Sequence, residues 1–338
     1  MINYIYHLIA PKVIAAKFDD LKLDDDGVLV RPSYLALCHA DGRYYRGLRP
    51  KEVLERKLPM ALVHEAVGTV VNDPKGEFEA GDNVILIPNI PGDSSDSVAE
   101  NYRKDSKFRS SGVDGFMQEY VLMPRDRLVE CNGVDLEIAA ISEFISVAFQ
   151  AVNRFESRAV TPKDTIAVWG DGNLGYVVAF VLKCRYPDSK IVVIGQTQSK
   201  LQYFTFADET YFDTEVPDNL TVDHAFECTG GDGCKAAIDD IISHINPEGV
   251  VMLLGVSENK VPIFTRDVLE KGLTLVGSSR SSYADFFNTV ELLKDRQVAR
   301  RFKTIVSEVI PINSIEDIHT AFERDVNNPF KTVLKWNL

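Results

Sequence analysis

TIAVWGDGNLGYVVAFVL, residues 165–182, contains an apolar run of strand length, a glycine-rich turn and an apolar run of helix length, in that order. The turn has the pattern G-x-G-x-x-G, with glycines at Gly170, Gly172 and Gly175. The first glycine of this pattern permits a tight turn, the second lets the backbone approach a pyrophosphate, and the third lets the helix pack on the strand. The pattern alone is weak, but its place between a strand and a helix predicts a dinucleotide site.

The rest of residues 151–283 continues the alternation of strand and helix. Apolar runs that mostly end at a glycine (KIVVIG, VDHAFECTG and GVVMLLG) are separated by segments of helix length. This alternation predicts an α/β fold with a doubly wound parallel sheet of the Rossmann type. The main-chain N–H groups of Asn173 and Leu174 then face the phosphates of the dinucleotide. A glycine-rich turn without a ligand is the alternative, and the further strand that ends at Gly195 argues against it.

The choice of dinucleotide depends on the residues after KIVVIG. A site for NAD usually has an acidic residue near this point, which binds the ribose 2′-hydroxyl. This chain has Gly195 followed by Gln-Thr-Gln-Ser-Lys, without a carboxylate. Thr197, Ser199 and Lys200 are suited to surround a 2′-phosphate, so the sequence predicts NADPH rather than NADH. The alternative is that Lys200 is a solvated lysine at a helix start.

Residues 1–150 have a different character. The β-rich runs GVLVRPSYLAL, EAVGTVV, DNVILIP and EYVLMP are separated by turn-forming residues, which predicts an antiparallel barrel or sandwich. Residues 89–112 are polar and predict a long surface loop or lobe, and residues 135–156 predict a helix. The last part, from about residue 284, contains two helical segments and a closing strand, KTVLKW.

Composition excludes several classes of protein. The chain has 338 residues, enough for two domains, and its net charge of −13 gives no reason to expect a nucleic-acid partner. No apolar run approaches the length of a membrane helix, and the N-terminus lacks the features of a signal peptide, so we expect a cytoplasmic protein. Its five scattered cysteines are expected to be reduced, with a metal ligand possible among them.

Three residues of the β-rich part point to a metal. Cys38 lies at a strand end or turn, and the pair His64-Glu65 lies inside an otherwise apolar segment. Burying these polar groups without hydrogen-bond partners costs on the order of several kcal/mol, and a metal ion would supply a partner. Thiolate, imidazole and carboxylate are all ligands of Zn²⁺. Glu143, in a nearly apolar helical segment, is the best candidate for a further ligand, whereas ordinary packing is the alternative for each residue alone.

The order of these motifs resembles the zinc-containing medium-chain dehydrogenase/reductase superfamily, in its polyol dehydrogenase branch. The motifs that carry the resemblance are Cys38-His39-Ala40-Asp41, His64-Glu65 with Gly68, Gly81-Asp82-Asn83-Val84, Gly115-Phe116 before Glu119-Tyr120, the segment of Glu143, and the glycine turn. The resemblance implies a GroES-like β-barrel catalytic domain over 1–150 and 284–338 and a Rossmann domain over 151–283, with the active site in the cleft between them.

The resemblance also implies roles for single residues. Cys38 and His64 bind the catalytic zinc, with Glu65 and Glu143 as ligands or exchangeable ligands, and Asp41 orients His64. Many members have a second, structural zinc held by four cysteines in the lobe, but the lobe of this chain has no cysteine, which predicts one zinc.

A second departure from the superfamily pattern concerns the residue that relays a proton during the reaction. The residue two positions after the zinc cysteine is often Ser or Thr and relays a proton, whereas this chain has Ala40. The proton is therefore expected to come through Glu65, a zinc-bound water or the hydroxyls of the substrate.

Cationic residues indicate an anionic substrate. Arg43 and Arg46 lie in the sequence beside Cys38. The lobe adds four cations, Arg103, Lys104, Lys107 and Arg109. A solvated lobe of mixed charge is the alternative, because acidic residues lie among them: Asp93, Asp96, Glu100 and Asp105.

The stretch LCHADGRYYRG, the cysteine-free lobe and the segment ending at Arg280 resemble the ribulose-5-phosphate reductases. That resemblance implies NADPH-dependent reduction of D-ribulose 5-phosphate to D-ribitol 5-phosphate, which feeds CDP-ribitol for teichoic acid or capsule synthesis and so couples the enzyme to a cytidylyltransferase. Arg43 or Arg46 is expected to bind the substrate phosphate. Arg280 is expected to approach the nicotinamide, with a structural ion pair as its alternative.

Other functions are compatible with the sequence. An NAD(P)-dependent dehydrogenase of free polyols such as sorbitol or xylitol shares the fold and the zinc. A zinc-free quinone reductase and a non-catalytic cofactor-binding protein are disfavoured by the ligand set of Cys38, His64 and Glu143. The apolar strand GLTLVGSS is expected to pair across a two-fold axis in a homodimer.

Overall fold

The computed structural model describes residues 1–92 and 97–338. By packing, the chain divides into two compact units, residues 1–146 with 281–338, and residues 147–280. This division by packing does not establish where the domains begin and end. The domain boundaries expected at 150/151 and 283/284 therefore stay predictions.

The β-strands of the described residues are β1 (Ile2–Ala10), β2 (Val13–Asp20), β3 (Gly27–Ala36), β4 (Met60–Ala61), β5 (Glu65–Asn72), β6 (Asn83–Leu86), β7 (Asn89–Ile90), β8 (Lys107–Phe108), β9 (Val121–Pro124), β10 (Leu128–Glu130), β11 (Thr165–Trp169), β12 (Lys190–Gly195), β13 (Glu209–Phe212), β14 (His224–Glu227), β15 (Val250–Leu253), β16 (Thr274–Gly277), β17 (Val306–Ile312) and β18 (Lys331–Trp336). The α-helices are α1 (His39–Tyr45), α2 (Lys51–Lys57), α3 (Leu136–Ala139), α4 (Ser142–Glu156), α5 (Asn173–Arg185), α6 (Gln198–Leu201), α7 (Cys234–His244), α8 (Thr265–Lys271), α9 (Tyr283–Leu293), α10 (Arg296–Lys303) and α11 (Ile315–Asp325).

The unit of residues 147–280 is built on one parallel sheet. Its strand order is β13-β12-β11-β14-β15-β16, which corresponds to the order 3-2-1-4-5-6 of a doubly wound sheet. The central strands β11 and β12 are almost wholly buried, because helices cover both faces of such a sheet, and their runs of apolar residues suit that environment. The glycine turn joins β11 to α5, as the sequence predicts.

The other unit is mainly antiparallel. A sheet with the path β10-β6-β5-β3-β18-β17, to which β9 adds through β3, and a second sheet, β2-β1-β4, enclose one hydrophobic core. In this sheet β3 pairs with β5, with Ala36 opposite Glu65, and with β18, with Ala36 opposite Val333. This register brings the ends of three strands together, which positions the candidate site.

Two expectations about elements need adjustment. The helix expected over residues 135–156 is divided into α3 and α4, and Asp135 caps the first of them by accepting a hydrogen bond from the N–H of Glu137. The expected lobe contains a short antiparallel pair, β7 with β8. Residues 93–96 of that lobe, which include Asp93 and Asp96, lie outside the described residues. Within the described ranges we find no helix with the length and apolar character to span a membrane.

Candidate functional site

Cys38 lies between β3 and α1, at the position that caps the helix. Its main-chain N–H donates to Oδ2 of Asp41 at 3.1 Å, and the N–H of Asp41 donates back to the carbonyl of Cys38 at 3.0 Å. This reciprocal capping fixes the first turn of α1, so the half-buried thiol of Cys38 is held on a rigid element.

Asp41 is a buried carboxylate that ties three segments together. Besides Cys38, it accepts hydrogen bonds at Oδ1 from the N–H of Val63 at 3.0 Å and from Oγ of Ser110 at 2.7 Å. Its Oδ1 lies 3.8 Å from Nδ1 of His64, which is longer than a hydrogen bond. Asp41 therefore acts on His64 through its charge and through the backbone that precedes it. The contribution of Ser110 has no signal in the sequence.

Val63, directly before His64, has a φ of 68°, although it is β-branched and fully buried. A β-branched residue in the left-handed region is a genuine outlier, and such conformations cost on the order of 1–3 kcal/mol. Gly115 lies against this turn: a Cβ there would lie 2.3 Å from the carbonyl oxygen of Val63. The backbone before His64 is thus fixed in a strained conformation by close packing.

The side chains of Cys38, His64 and Glu65 converge. Their ligand atoms all lie within 4.8 Å of one another, and His64 and Glu65 are buried. Oε2 of Glu65 is buried without a hydrogen-bond partner among the described residues. A thiol, an imidazole and a carboxylate with an unsatisfied oxygen form a donor set that suits Zn²⁺. These residues therefore fit the metal that the sequence predicts.

Lys331, the first residue of β18, is a member of this cluster that the sequence does not reveal. Its ammonium forms an ion pair with Oε1 of Glu65 and donates to the carbonyl oxygen of Leu37 at 3.1 Å. It also lies 4.6 Å from the centre of the Phe144 ring. This lysine is 2% exposed, so the pair is a buried one and fixes the orientation of the Glu65 carboxylate.

Glu143 lies in the first turn of α4 and is buried. It is outside the set of atoms within 4.8 Å, but its charge acts on both His64 and Glu65. The geometry therefore brings Cys38, His64 and Glu65 closest together, with Glu143 beside them.

The pKa values of these groups report a crowded, buried site. Burial raises the pKa of Glu65 to about 7, with Glu143 adding to the effect and Lys331 opposing it. Burial also raises the pKa of Glu143. Burial alone lowers the pKa of His64, but Asp41 and Cys38 outweigh it and raise the pKa well above its ordinary value. Acidic groups that share a low-dielectric site in this way are stabilised by a cation.

Two arginines at the end of α1 act on His39, the residue that follows Cys38 in the sequence. Burial lowers the pKa of His39, and the charges of Arg46 and Arg43 lower it further, so both guanidinium groups lie near this imidazole. Arg43 donates to the carbonyl oxygen of Leu48 at 3.1 Å. Nε of Arg46 is buried without a hydrogen-bond partner among the described residues, and a Cβ at Gly42 would lie 3.1 Å from its Nη2. Of the two, Arg43 is the one whose guanidinium is held by a main-chain carbonyl.

The four cations predicted in the lobe differ in their surroundings. Arg103 donates to the carbonyl oxygen of Gly92 at 3.2 Å, and Arg109 donates to that of Asp114 at 3.2 Å. Burial lowers the pKa of Arg109 to about 10. Lys104 and Lys107 are exposed. The two arginines therefore hold main-chain segments of the lobe.

The unit of residues 147–280 has its own cavity, of about 590 Å³. It lies where β11, β12 and β14 end, which is where nucleotides bind in open α/β sheets. Of the predicted cofactor residues, Gly170, Gly172, Thr197 and Lys200 line it. Cys228 and Thr229, after β14, also line it, and the backbone of Cys228 lies against Gly170 of the glycine turn.

The other predicted cofactor residues are placed differently. Gly175 packs α5 against the turn, because a Cβ there would lie 1.8 Å from the carbonyl oxygen of Gly170. Asn173 and Leu174 begin α5. Among the described residues, these three and Ser199 and Arg280 do not line the cavity. Arg280 has a φ of 56°, and burial lowers its pKa.

A GroES-like unit with a thiol, imidazole and carboxylate cluster, joined to a doubly wound sheet with a dinucleotide turn, defines a medium-chain dehydrogenase/reductase. Comparison with known proteins agrees: the alcohol dehydrogenase GroES-like domain matches residues 24–133, and the glucose dehydrogenase C-terminus matches residues 136–336. The predicted superfamily and the predicted fold class are confirmed.

Comparison with individual relatives identifies a family within this superfamily. The chain is 47% identical to the ribulose-5-phosphate reductase of Streptococcus pneumoniae, over 100% of this chain and 98% of that protein. It is 47% identical to the enzyme of the same name from Bacillus spizizenii, over the full length of both. The crystal structure of S. aureus TarJ in complex with NADPH superposes with a TM-score of 0.89, at 42% identity and full coverage of both chains. The chain belongs to the ribulose-5-phosphate reductase family.

Proposed function

We propose that this oxidoreductase reduces D-ribulose 5-phosphate with NADPH. The balanced reaction transfers a hydride from NADPH and one proton to the C2 carbonyl, and gives D-ribitol 5-phosphate and NADP⁺. The proposal is carried by the cluster of half-buried Cys38 with buried His64 and Glu65. The Nε of Arg46, unpartnered among the described residues, belongs to the same unit. The names of the relatives, and the NADPH in the solved relative, support the substrate and the cofactor.

The metal of the proposal is a single zinc. Cys38, His64 and Glu65 would hold it, with Glu143 as the exchangeable carboxylate. When bound, zinc polarises the carbonyl oxygen of the substrate as a Lewis acid. The absence of cysteine from residues 89–112 supports a count of one per chain.

The residues of the chain have separate tasks in this proposal. Asp41 holds the backbone of Cys38 and the turn before His64. Lys331 fixes the Glu65 carboxylate through Oε1 and leaves Oε2 available. Because Ala40 has no hydroxyl and Glu65 serves as a metal ligand, the proton that completes the reduction would come from water or from the hydroxyls of the substrate.

Arg46 would bind the phosphate of the substrate. A guanidinium binds a phosphate through two parallel hydrogen bonds, and a buried Nε without a partner is ready to form one of them. Free pentuloses lack that anion, so the contact would favour the phosphorylated substrate. The product, a polyol phosphate, suits consumption by a cytidylyltransferase.

The proposal is tested by following NADPH oxidation with ribulose 5-phosphate and with free ribulose, before and after treatment with a zinc chelator. We expect oxidation with the phosphorylated ketose, much weaker oxidation with the free one, and loss of both after chelation with recovery on adding zinc. Equal rates on the two ketoses would contradict the substrate, and a rate that resists chelation would contradict the metal.

We also propose that the enzyme is a homodimer. β16 is the edge strand of its sheet, and the segments that precede it expose the apolar side chains of Val256, Phe264 and Leu269. An apolar edge strand is suited to pairing with a second copy across a two-fold axis. Light scattering should give the mass of two chains, and the mass of one chain would contradict the proposal.

A further inference from the structure

Gly195, at the end of β12, is the position at which the sequence lacks the expected acidic residue. Its φ lies outside the left-handed region, so the backbone torsion does not require glycine there. β12 is otherwise built of side chains that fill the core. The absence of a side chain at position 195 therefore needs a cause other than the backbone torsion.

The neighbour of Gly195 is Asp171, from the glycine turn. A Cβ at position 195 would lie 2.5 Å from the Cβ of Asp171 and 2.8 Å from its Oδ2. Contacts below about 3 Å between such atoms do not occur in real structures unless something moves. The first of these atoms is next to the backbone of the turn, so it cannot move away as the end of a flexible side chain would.

Asp171 also takes the hydrogen-bond donors of the loop after β12. Its Oδ2 accepts from the N–H of Gln196 at 2.8 Å and from the N–H of Thr197 at 2.5 Å. Gln196 and Thr197 both line the cavity, so without Asp171 their main-chain amides would be available to an anion. Asp171 therefore joins the glycine turn to the next loop and leaves side chains, not amides, to bind a group on the ribose.

We propose that Asp171 acts on cofactor specificity indirectly, because Asp171 and a side chain at position 195 exclude each other. While Asp171 is present, position 195 has no room for the carboxylate that binds the ribose 2′-hydroxyl of NADH. The 2′-phosphate of NADPH is then bound by Thr197 and Lys200, which line the same cavity. This inference rests on the proposed use of NADPH.

The test is a double-mutant cycle on nucleotide binding, with the wild type, Asp171→Gly, Gly195→Asp and the double variant. Glycine is used at 171 because alanine keeps the Cβ that causes the clash. The fluorescence of bound NADPH and NADH gives both dissociation constants for each protein. We expect Gly195→Asp alone to weaken both nucleotides by about tenfold or more, and the double variant to recover NADH binding and reverse the preference.

A matched cycle with Gly195→Ala separates size from charge. A methyl group meets the same Cβ, so we expect it to lower the melting temperature when Asp171 is present and to be tolerated in the Asp171→Gly protein, where NADPH stays preferred. This cycle is read by thermal unfolding and needs no nucleotide. It remains decisive if a variant with aspartate at 195 does not fold.

The outcomes are distinct. If Gly195→Asp switches the preference as fully as the double variant does, or if the alanine cycle is additive, the exclusion is wrong. If Asp171→Gly alone weakens NADH and strengthens NADPH, Asp171 itself binds the ribose hydroxyls and the inference is overturned. A wild type that prefers NADH contradicts the proposed cofactor instead, and the alanine cycle then still decides whether the two positions exclude each other.

Discussion

At the scale of single residues, the strain at Val63 leads to a prediction about stability. Val63→Gly removes a buried side chain but also relieves a φ of 68°, which is worth on the order of 1–3 kcal/mol. Val67, fully buried in β5 without such a torsion, is the matched control. Denaturant unfolding should show that Val63→Gly loses about 2 kcal/mol less than Val67→Gly. Equal losses at the two positions would show that the turn before His64 stores no strain.

Arg46 provides a residue-scale prediction about the substrate. Arg46→Ala removes a charge-assisted contact worth roughly 1.5–3 kcal/mol, so KM for ribulose 5-phosphate should rise about tenfold or more. The KM for free ribulose should change little, since that substrate has no phosphate. Lys51→Ala, at an exposed lysine of the neighbouring α2, is the control for a simple loss of positive charge.

The same comparison discriminates between the two arginines. Arg43 donates to the main chain at Leu48, so Arg43→Ala should lower the melting temperature without separating the two substrates. If Arg43→Ala instead raises KM selectively and Arg46→Ala does not, the phosphate contact belongs to Arg43.

The site shows what a sequence can and cannot reveal at this scale. His64 and Glu65 are recognisable because polar residues in an apolar segment need partners, and Cys38 because a thiolate is a ligand of zinc; the structure brings these three together. Lys331 is not recognisable. It shares strand β18 and a face with Lys335, four residues on, yet Lys331 is buried and Lys335 is exposed. Because side chains alternate along a strand, the sequence assigns both lysines to the same face of β18. Their different burial depends on the segments that pack against that face, which the sequence does not show.

At the scale of elements, β18 holds Glu65 through Lys331, and this leads to a prediction. Lys331→Met leaves the Glu65 carboxylate buried without its counter-charge, and breaking such a pair costs about 3–5 kcal/mol. Lys335→Met on the same strand should change stability by less than about 0.5 kcal/mol. Thermal and denaturant unfolding of the two variants check this, and similar losses would mean that the buried pair has no special weight.

Helices α3 and α4 show why element boundaries are harder to predict than element types. The segment of residues 135–156 contains no glycine or proline, so no strong helix breaker marks a division in it. The structure ends α3 at Ala139 and starts α4 at Ser142, which puts Glu143 in the first turn of a new helix. The doubly wound sheet, by contrast, can be predicted from the sequence. Its parallel strands are buried on both faces, so each one is a continuous apolar run, without alternation of polar and apolar residues.

At the scale of the whole molecule, the arrangement of charge predicts how the protein responds to metal. The chain has a net charge of −13, and its unit of residues 1–146 and 281–338 also buries Glu65 and Glu143 beside the thiol of Cys38. Lys331 offsets one of these groups, and a divalent cation offsets the rest. We therefore expect bound zinc to raise the melting temperature, and chelation to lower it reversibly.

Elemental analysis should give one zinc per chain, since the described ligand cluster is in one place and residues 89–112 contain no cysteine. Cys38→Ser should reduce the zinc content to well below one and abolish the thermal shift on chelation. Cys184→Ser, at an exposed cysteine of α5, should retain the full content, so a general effect of losing a thiol is excluded. Two zinc ions per chain, or a Cys38→Ser protein that keeps its metal, would refute this assignment, because the thiolate is the ligand that most strongly selects zinc over oxygen-preferring cations.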